Sequence, residues 1–311
     1  MKLSKIVGFN PDSRRFDETQ QLVDSHTFVG IEVEAENGNP DWFRDSPLSD
    51  LWQITEDGSL RDNGMEFRFS APSRGGDIVR AIEEFIAFAG TTKMRATRRT
   101  GIHVHVDVRD FEWSQLRHFC TMYAIFEKPL FRWVGENRHK NIFCLPWSEA
   151  DATIEGLCAI GGEPTSEKQV QVQLQRMHKY SALNMTSVME HGTVEFRHML
   201  TTFDGGRLLD WVNLLLSLKK YAFEFQGTTK DLCVALSAKG AMPFIMEVFG
   251  PRLTEQLMYP EIVNDLFTGV RLAQELNSEW RRVPVYNLLS PDVAVPSSQD
   301  LTSRFMKRRA K

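Results

Sequence analysis

Gly101-Ile102-His103-Val104-His105-Val106-Asp107 is the stretch on which the fold turns. Ile102, Val104 and Val106 alternate with His103, His105 and Asp107, and a period of two describes a strand with one buried and one polar face. The same pattern recurs upstream, where Val29, Ile31, Val33 and Ala35 alternate with Gly30, Glu32 and Glu34. Met65, Phe67 and Phe69 alternate with Glu66, Arg68 and Ser70 just after Asn63-Gly64, a turn signal. Leu51 to Thr55 reads as a further strand ending in Glu56-Asp57-Gly58-Ser59. Downstream, 180–186 and 193–199 read as a strand pair joined across Glu190-His191-Gly192.

Between these strands the apolar period changes to that of helices. Residues 76–89 place Ile78, Ile82, Phe85 and Ala89 on one stripe, and Gly90 closes the helix. Residues 114–131 do the same with Leu116, Phe119, Tyr123, Phe126 and Leu130, with Ser114 as the expected cap. Residues 167–178 and Asp204 to Phe225 also read as helices, and 135–165 reads as loop-rich. From about 228, short helices are broken by Pro243, Pro251 and Pro260. Strand pairs mixed with long helices predict an α+β protein, a mostly antiparallel sheet backed by helices. The expected divisions are an irregular segment 1–26, a main domain 27–227, a helical subdomain 228–289 and a Pro/Ser-rich then basic tail 290–311.

Composition excludes several classes. The 311 residues are 42% hydrophobic and 25% charged, with a net charge of −4, so neither nucleic acid nor a membrane surface is an expected partner. Arg304, Lys307, Arg308, Arg309 and Lys311 read as a solubilising terminus. Cys120, Cys144, Cys158 and Cys233 form no CxxC pair and read as reduced thiols of a cytoplasmic protein. Met1-Lys2-Leu3-Ser4-Lys5 is followed by no apolar run, so no signal peptide is expected, and Leu208 to Leu218 is too short to span a bilayer.

Four strands thus carry ionisable groups at i, i+2 spacing: Glu32/Glu34, Glu66/Arg68, His103/His105/Asp107 and Glu195/Arg197. A solvated sheet face accounts for any one of them. Together they are the residue types that hold hard cations and phosphate rather than the Thr, Lys and Gln of solvated strands. Two carboxylates about 5 Å apart repel by roughly 3 kcal/mol at an effective dielectric near 20. Converging glutamates therefore call for a divalent cation, and oxygen-rich ligation with one imidazole favours magnesium or manganese over zinc. For His103 and His105, a structural role for at least one competes with ligation by both. Arg197 adds a cation suited to phosphate or carboxylate. No Walker A or GxGxxG pattern is present.

These segments resemble the amidoligases, a branch of the glutamine synthetase and glutamate–cysteine ligase superfamily. The resemblance is carried by Phe28 to Glu34, Asp57-Gly58-Ser59-Leu60 with Gly64 to Phe67, Gly101 to Asp107, Arg138 through Asn141 to Cys144, and Tyr180 to Asn184 followed by Gly192 to Arg197. It implies a curved, mostly antiparallel sheet of the glutamine synthetase catalytic type with an ATP–magnesium site on its concave face. Glu32, Glu34, Glu66, Glu195 and His103 would then be metal ligands, and Arg197 would grip transferring phosphate or substrate carboxylate. Glu66 would take a proton, and His105, Asp107 and Arg138 would contact substrate or nucleotide. The implied reaction is ATP-dependent amide formation between a carboxylate and an amine, small molecules or peptides, through an acyl phosphate. A metal-dependent hydrolase acting without ATP, or an inactive relative serving as a binding module, is the competing expectation. Cys144 reads as a structural thiol rather than a nucleophile, and Arg95, Arg98 and Arg99 as a solvated basic turn or a phosphate contact.

Overall fold

The computed structural model describes residues 1–7, 16, 18–159 and 166–281. Its centre is an open six-stranded sheet, antiparallel at every pairing. The strands are β1 (Val29–Ala35), β2 (Trp52–Glu56), β3 (Met65–Phe69), β4 (Gly101–Asp107), β5 (Leu183–Asn184) and β6 (Thr193–Leu200), in the order β2-β3-β1-β4-β6-β5. The quoted strand, β4, therefore sits between β1 and β6.

Ten α-helices occur among the described residues: α1 (Leu3–Val7), α2 (Gly76–Gly90), α3 (Trp113–Val134), α4 (Asp151–Ala159), α5 (Glu167–Arg176), α6 (Ser187–His191), α7 (Gly205–Glu224), α8 (Thr229–Lys239), α9 (Ala241–Leu257) and α10 (Ile262–Arg281). Among these residues no single helix is long and apolar enough to cross a membrane. Helices α2, α3 and α7 cover the apolar face of the sheet. Phe85 packs on Trp52 and Phe67, while Phe119, Tyr123 and Trp211 surround Phe196. Val29, Ile31, Val33, Phe67, Ile102, Val104 and Val106 are all buried there. The ionisable alternates are thereby forced onto the opposite face.

Several local expectations are corrected. The cap of α3 is Glu112, not Ser114: Gln115 returns a side-chain bond to the Glu112 backbone, closing a capping box. The helix also runs through Pro129 to Val134. The segment expected to be loop-rich contains α4, and the link between β5 and β6 is the short helix α6 rather than a plain turn. Pro243 lies in the first turn of α9, where its missing N–H costs little, and Pro251 follows a kink at Gly250. At the other end of the chain, Leu3 of α1 is fully buried, and its N–H donates to the Phe111 carbonyl. The basic stretch at 304–311 lies outside the described residues.

Candidate functional site

The antiparallel registers bring the polar positions together. Glu32 pairs with His103 on one side and Arg68 on the other, Glu34 pairs with Glu66, and His105 pairs with Glu195. Residues more than 160 positions apart in sequence thus become neighbours on one sheet face. His103 is the hub: its Nδ1 lies 3.1 Å from Glu32 Oε2 and 3.3 Å from Glu195 Oε1, and its Nε2 lies 3.8 Å from Glu34 Oε1. His105 presents Nε2 to Glu32 Oε1 at 3.4 Å, while its Nδ1 is held by the Ser187 and Thr193 hydroxyls at 3.1 and 3.0 Å.

A bulge in β6 orients the arginine. Ile102 pairs with Met199 and Val104 with Phe196, so Arg197 and His198 together oppose His103. Arg197 then points to the polar face and pairs with Glu195. His198 points into the helix layer, where it lies 3.0 Å from the Tyr123 hydroxyl. Burial and the nearby Arg138 push the His198 imidazole down to about 3, which keeps it neutral. Arg138 pins the bulge from within: its Nε and Nη2 donate to the Arg197 carbonyl at 3.2 and 3.1 Å. Gly101 is required here, since a Cβ would collide with the Arg138 guanidinium. Arg138 is thus almost wholly buried behind Arg197, beside Glu34, rather than exposed in the site.

The carboxylates feel opposing fields. Burial would push the Glu32 carboxyl up, but hydrogen bonds from His103 and His105 hold it well below the ordinary range. Burial also pushes Glu195 up, but Arg197, His103, His105 and the Asn184 hydrogen bond together outweigh it and the net shift is downward. Glu34 is raised by burial, only partly opposed by His103 and the Gly101 N–H, which donates to its Oε2 at 2.6 Å. Glu66 is raised by burial and by the charge on Glu32, against a 3.1 Å bond from Thr55. His105 is pushed down by burial but raised overall by its bond to Glu32 and by Glu195. Two sets of groups could each hold an ion, Glu32 with His105 and Glu195, and Glu34 with Asp57 and Glu66, with ligand atoms in each set within 4.8 Å of one another.

Asp107, at the end of β4, is not brought into this cluster. Its carboxylate accepts from Arg109 N, Nε and Nη2 at 2.9 to 3.0 Å, a satisfied arrangement at the strand end. Arg95 turns to Asp62 at 3.1 Å. Cys144 is fully buried, and burial pushes its thiol up to about 12, as befits a core thiol. Three participants escaped the reading of spacings as ligands or supports. Asp57 follows β2 in a turn, Asn184 Nδ2 donates to Glu195 Oε2 at 2.7 Å, and the Ser187/Thr193 pair fixes His105. Asp57 and Asn184 lay within the segments that carried the resemblance, which was the available signal for them.

Such a face sets carboxylates, two imidazoles and a guanidinium side by side on an antiparallel sheet, groups whose chemistry suits cations and anions. Residues 72–219 match the family described as "Putative amidoligase enzyme", which supports the amidoligase resemblance and an enzyme of the ligase kind. The match includes β4, β5 and β6, whereas Glu32, Glu34, Asp57 and Glu66 precede it and reach the site through strand pairing. No curated protein matches the chain.

Proposed function

We propose that this chain is an ATP- and magnesium-dependent ligase that joins a carboxylate to an amine through an acyl phosphate, with manganese able to replace magnesium. One observation carries the reading: two groups of hard donors, Glu32/His105/Glu195 and Glu34/Asp57/Glu66, share a sheet face with Arg197. The donor set fits such ions, being mostly carboxylate oxygen with imidazole as the minority ligand. Glu34 and Glu66 fit as well, since burial and neighbouring acids leave both carboxyls short of compensating charge. Divalent cations bound there would neutralise the β- and γ-phosphates of the nucleotide.

The chain's own residues do the rest. Glu32, Glu34, Glu66 and Glu195 hold the ions, with His103 and His105 between them. Arg197 stabilises charge on the transferring phosphoryl group and on the attacking carboxylate. Its aim is fixed from behind by Arg138 and sideways by Glu195. Glu66, half-buried and raised above the ordinary carboxylate range by burial and by Glu32, is the group we assign to the amine proton. The antiparallel sheet with its acids on one face supports a glutamine synthetase-type catalytic sheet, and four free thiols support a cytoplasmic setting.

Titration calorimetry with a non-hydrolysable ATP analogue, with and without magnesium, tests this. Wild type is expected to bind only with the metal, and Glu195→Ala to weaken binding by about 10- to 100-fold, as loss of a metal ligand's support does. Absence of magnesium-dependent nucleotide binding in wild type sinks the reading. Amide or ester hydrolysis without ATP would replace it with a metallohydrolase.

A further inference from the structure

Seven large apolar side chains are exposed among the described residues, and two of them, Ile142 and Phe143, are adjacent in the chain, with Phe143 meeting Arg197 of the ionic cluster. Ile142 is 68% exposed and Phe143 37% exposed. The Phe143 carbonyl accepts from Arg197 Nε at 3.0 Å, so the apolar pair begins where the charged site ends. This lip is built rather than incidental. Phe143 N donates to Asn141 Oδ1 at 2.9 Å, Leu145 N to the Tyr180 carbonyl at 2.8 Å, and Ala182 N to the Leu145 carbonyl at 2.7 Å. The Phe143 and Tyr180 rings consequently meet edge to face, 5.2 Å apart at 82°.

We propose that Ile142, Phe143 and Tyr180 seat a bulky apolar side chain of the carboxylate substrate, whose carboxylate is anchored by Arg197. The proposal rests on the ligase reading, which requires the activated carboxylate to lie between Arg197 and the cation cluster. Two nitrogens of Arg197 are engaged, Nε by the Phe143 carbonyl and Nη1 by Glu195, while Nη2 makes no hydrogen bond among the described residues. A carboxylate taken by Nη2 has Glu195 on one side and the Phe143–Tyr180 corner on the other. The substituent next to that carboxylate therefore falls on apolar surface. A right-angled corner accepts a rounded aliphatic or phenyl group, whereas a nucleobase needs a flat parallel face. Lys179 and Arg197 lie 4.9 and 5.8 Å from the Tyr180 ring centroid, which leaves the Phe143 side of the corner for the apolar substituent.

The test uses N-acetylphenylalanine and N-acetylalanine as probes on the full chain, each titrated with and without the magnesium-bound ATP analogue. Wild type is expected to prefer the phenyl probe by about tenfold, the order of discrimination an apolar pocket gives. In the doubly substituted Ile142→Ser/Phe143→Ser chain the preference should fall below about twofold, with nucleotide affinity and melting temperature unchanged. Equal affinity for both probes, binding of neither, or a preference that survives the double substitution overturns the proposal. So does a loss of nucleotide affinity in the double variant, which would make the corner a nucleobase seat. The probe titrations without nucleotide are read separately, so failure of magnesium-dependent nucleotide binding counts against the ligase reading alone.

Discussion

Glu127 on α3 lies under the sheet, fully buried, where its Oε1 accepts from the Tyr123 hydroxyl and the Trp147 N–H, both at 2.7 Å. Burial, only partly offset by these bonds, pushes its carboxyl up to about 7. The folded state therefore binds a proton that the unfolded chain releases near pH 4.5. Stability is then unaffected below that point, falls as pH rises from about 4.5 to 7, and levels off once the native carboxyl ionises. The gap corresponds to about 3 kcal/mol. Urea unfolding at pH 5 and pH 7.5 should show this loss in wild type, and Glu127→Gln should remove most of it. An unchanged slope in the variant would show that Glu127 is not the titrating group. Nothing in the alternation of strands pointed to this carboxyl, because it belongs to a helix whose apolar stripe was legible while its one buried acid was not. The candidate site was legible for the converse reason: Glu32, Glu34, Glu66, His103, His105, Glu195 and Arg197 sit at fixed i, i+2 positions with apolar neighbours. Asp57 and Asn184 have no such period, and only strand register brings them to the cluster.

At the scale of elements, strands and long helices follow their periodicities because burial on one face enforces them. β5 is the exception: two residues pair, and the chain then turns into α6, whose five residues carry too little pattern to read. α4 is equally short of signal, with Asp151 and Glu155 interrupting its apolar positions. The contact between α3 and α10 depends on a single absence of side chain. Gly269, in the middle of α10, lies against the backbone carbonyls of Ala124 and Ile125, and a Cβ there would drive into both. In an open helix, alanine in place of glycine stabilises by about 0.5–1 kcal/mol. Here the sign should reverse, since α10 can accept the methyl only by moving off α3, and overpacking of this kind costs about 1–3 kcal/mol. Denaturant midpoints for Gly269→Ala and for Gly90→Ala decide it. Gly90 ends α2 and meets nothing within 4 Å, so it reports propensity alone. A Gly269→Ala chain as stable as wild type would mean that the two helices are not in close contact.

For the molecule as a whole, the cluster carries a cost of folding at Glu34 and Glu66, whose carboxyls are raised, though not at Glu32 and Glu195, whose carboxyls are lowered. Closing the sheet gathers Glu32, Glu34, Glu66 and Glu195 from strands that are far apart in the unfolded chain, and only part of their charge is met by His103, His105 and Arg197. The unfolded chain holds these acids apart, so the divalent cation proposed for this face would find its site only in the folded state. Ligand that binds the native state alone stabilises it by RT ln(1 + [L]/Kd), about 2.7 kcal/mol at a hundredfold excess over Kd. For a chain of this size that corresponds to a rise of about 5 °C in melting temperature. Scanning calorimetry in saturating manganese or magnesium should show the rise relative to chelator, at equal ionic strength so that general screening cancels. Glu195→Ala removes a ligand from one group and should lose much of the shift, while Asp57→Asn probes the other group independently. Equal melting temperatures with cation and chelator would mean that the face carries its charges without an ion, and the ligase chemistry argued for it would lose its electrostatic basis.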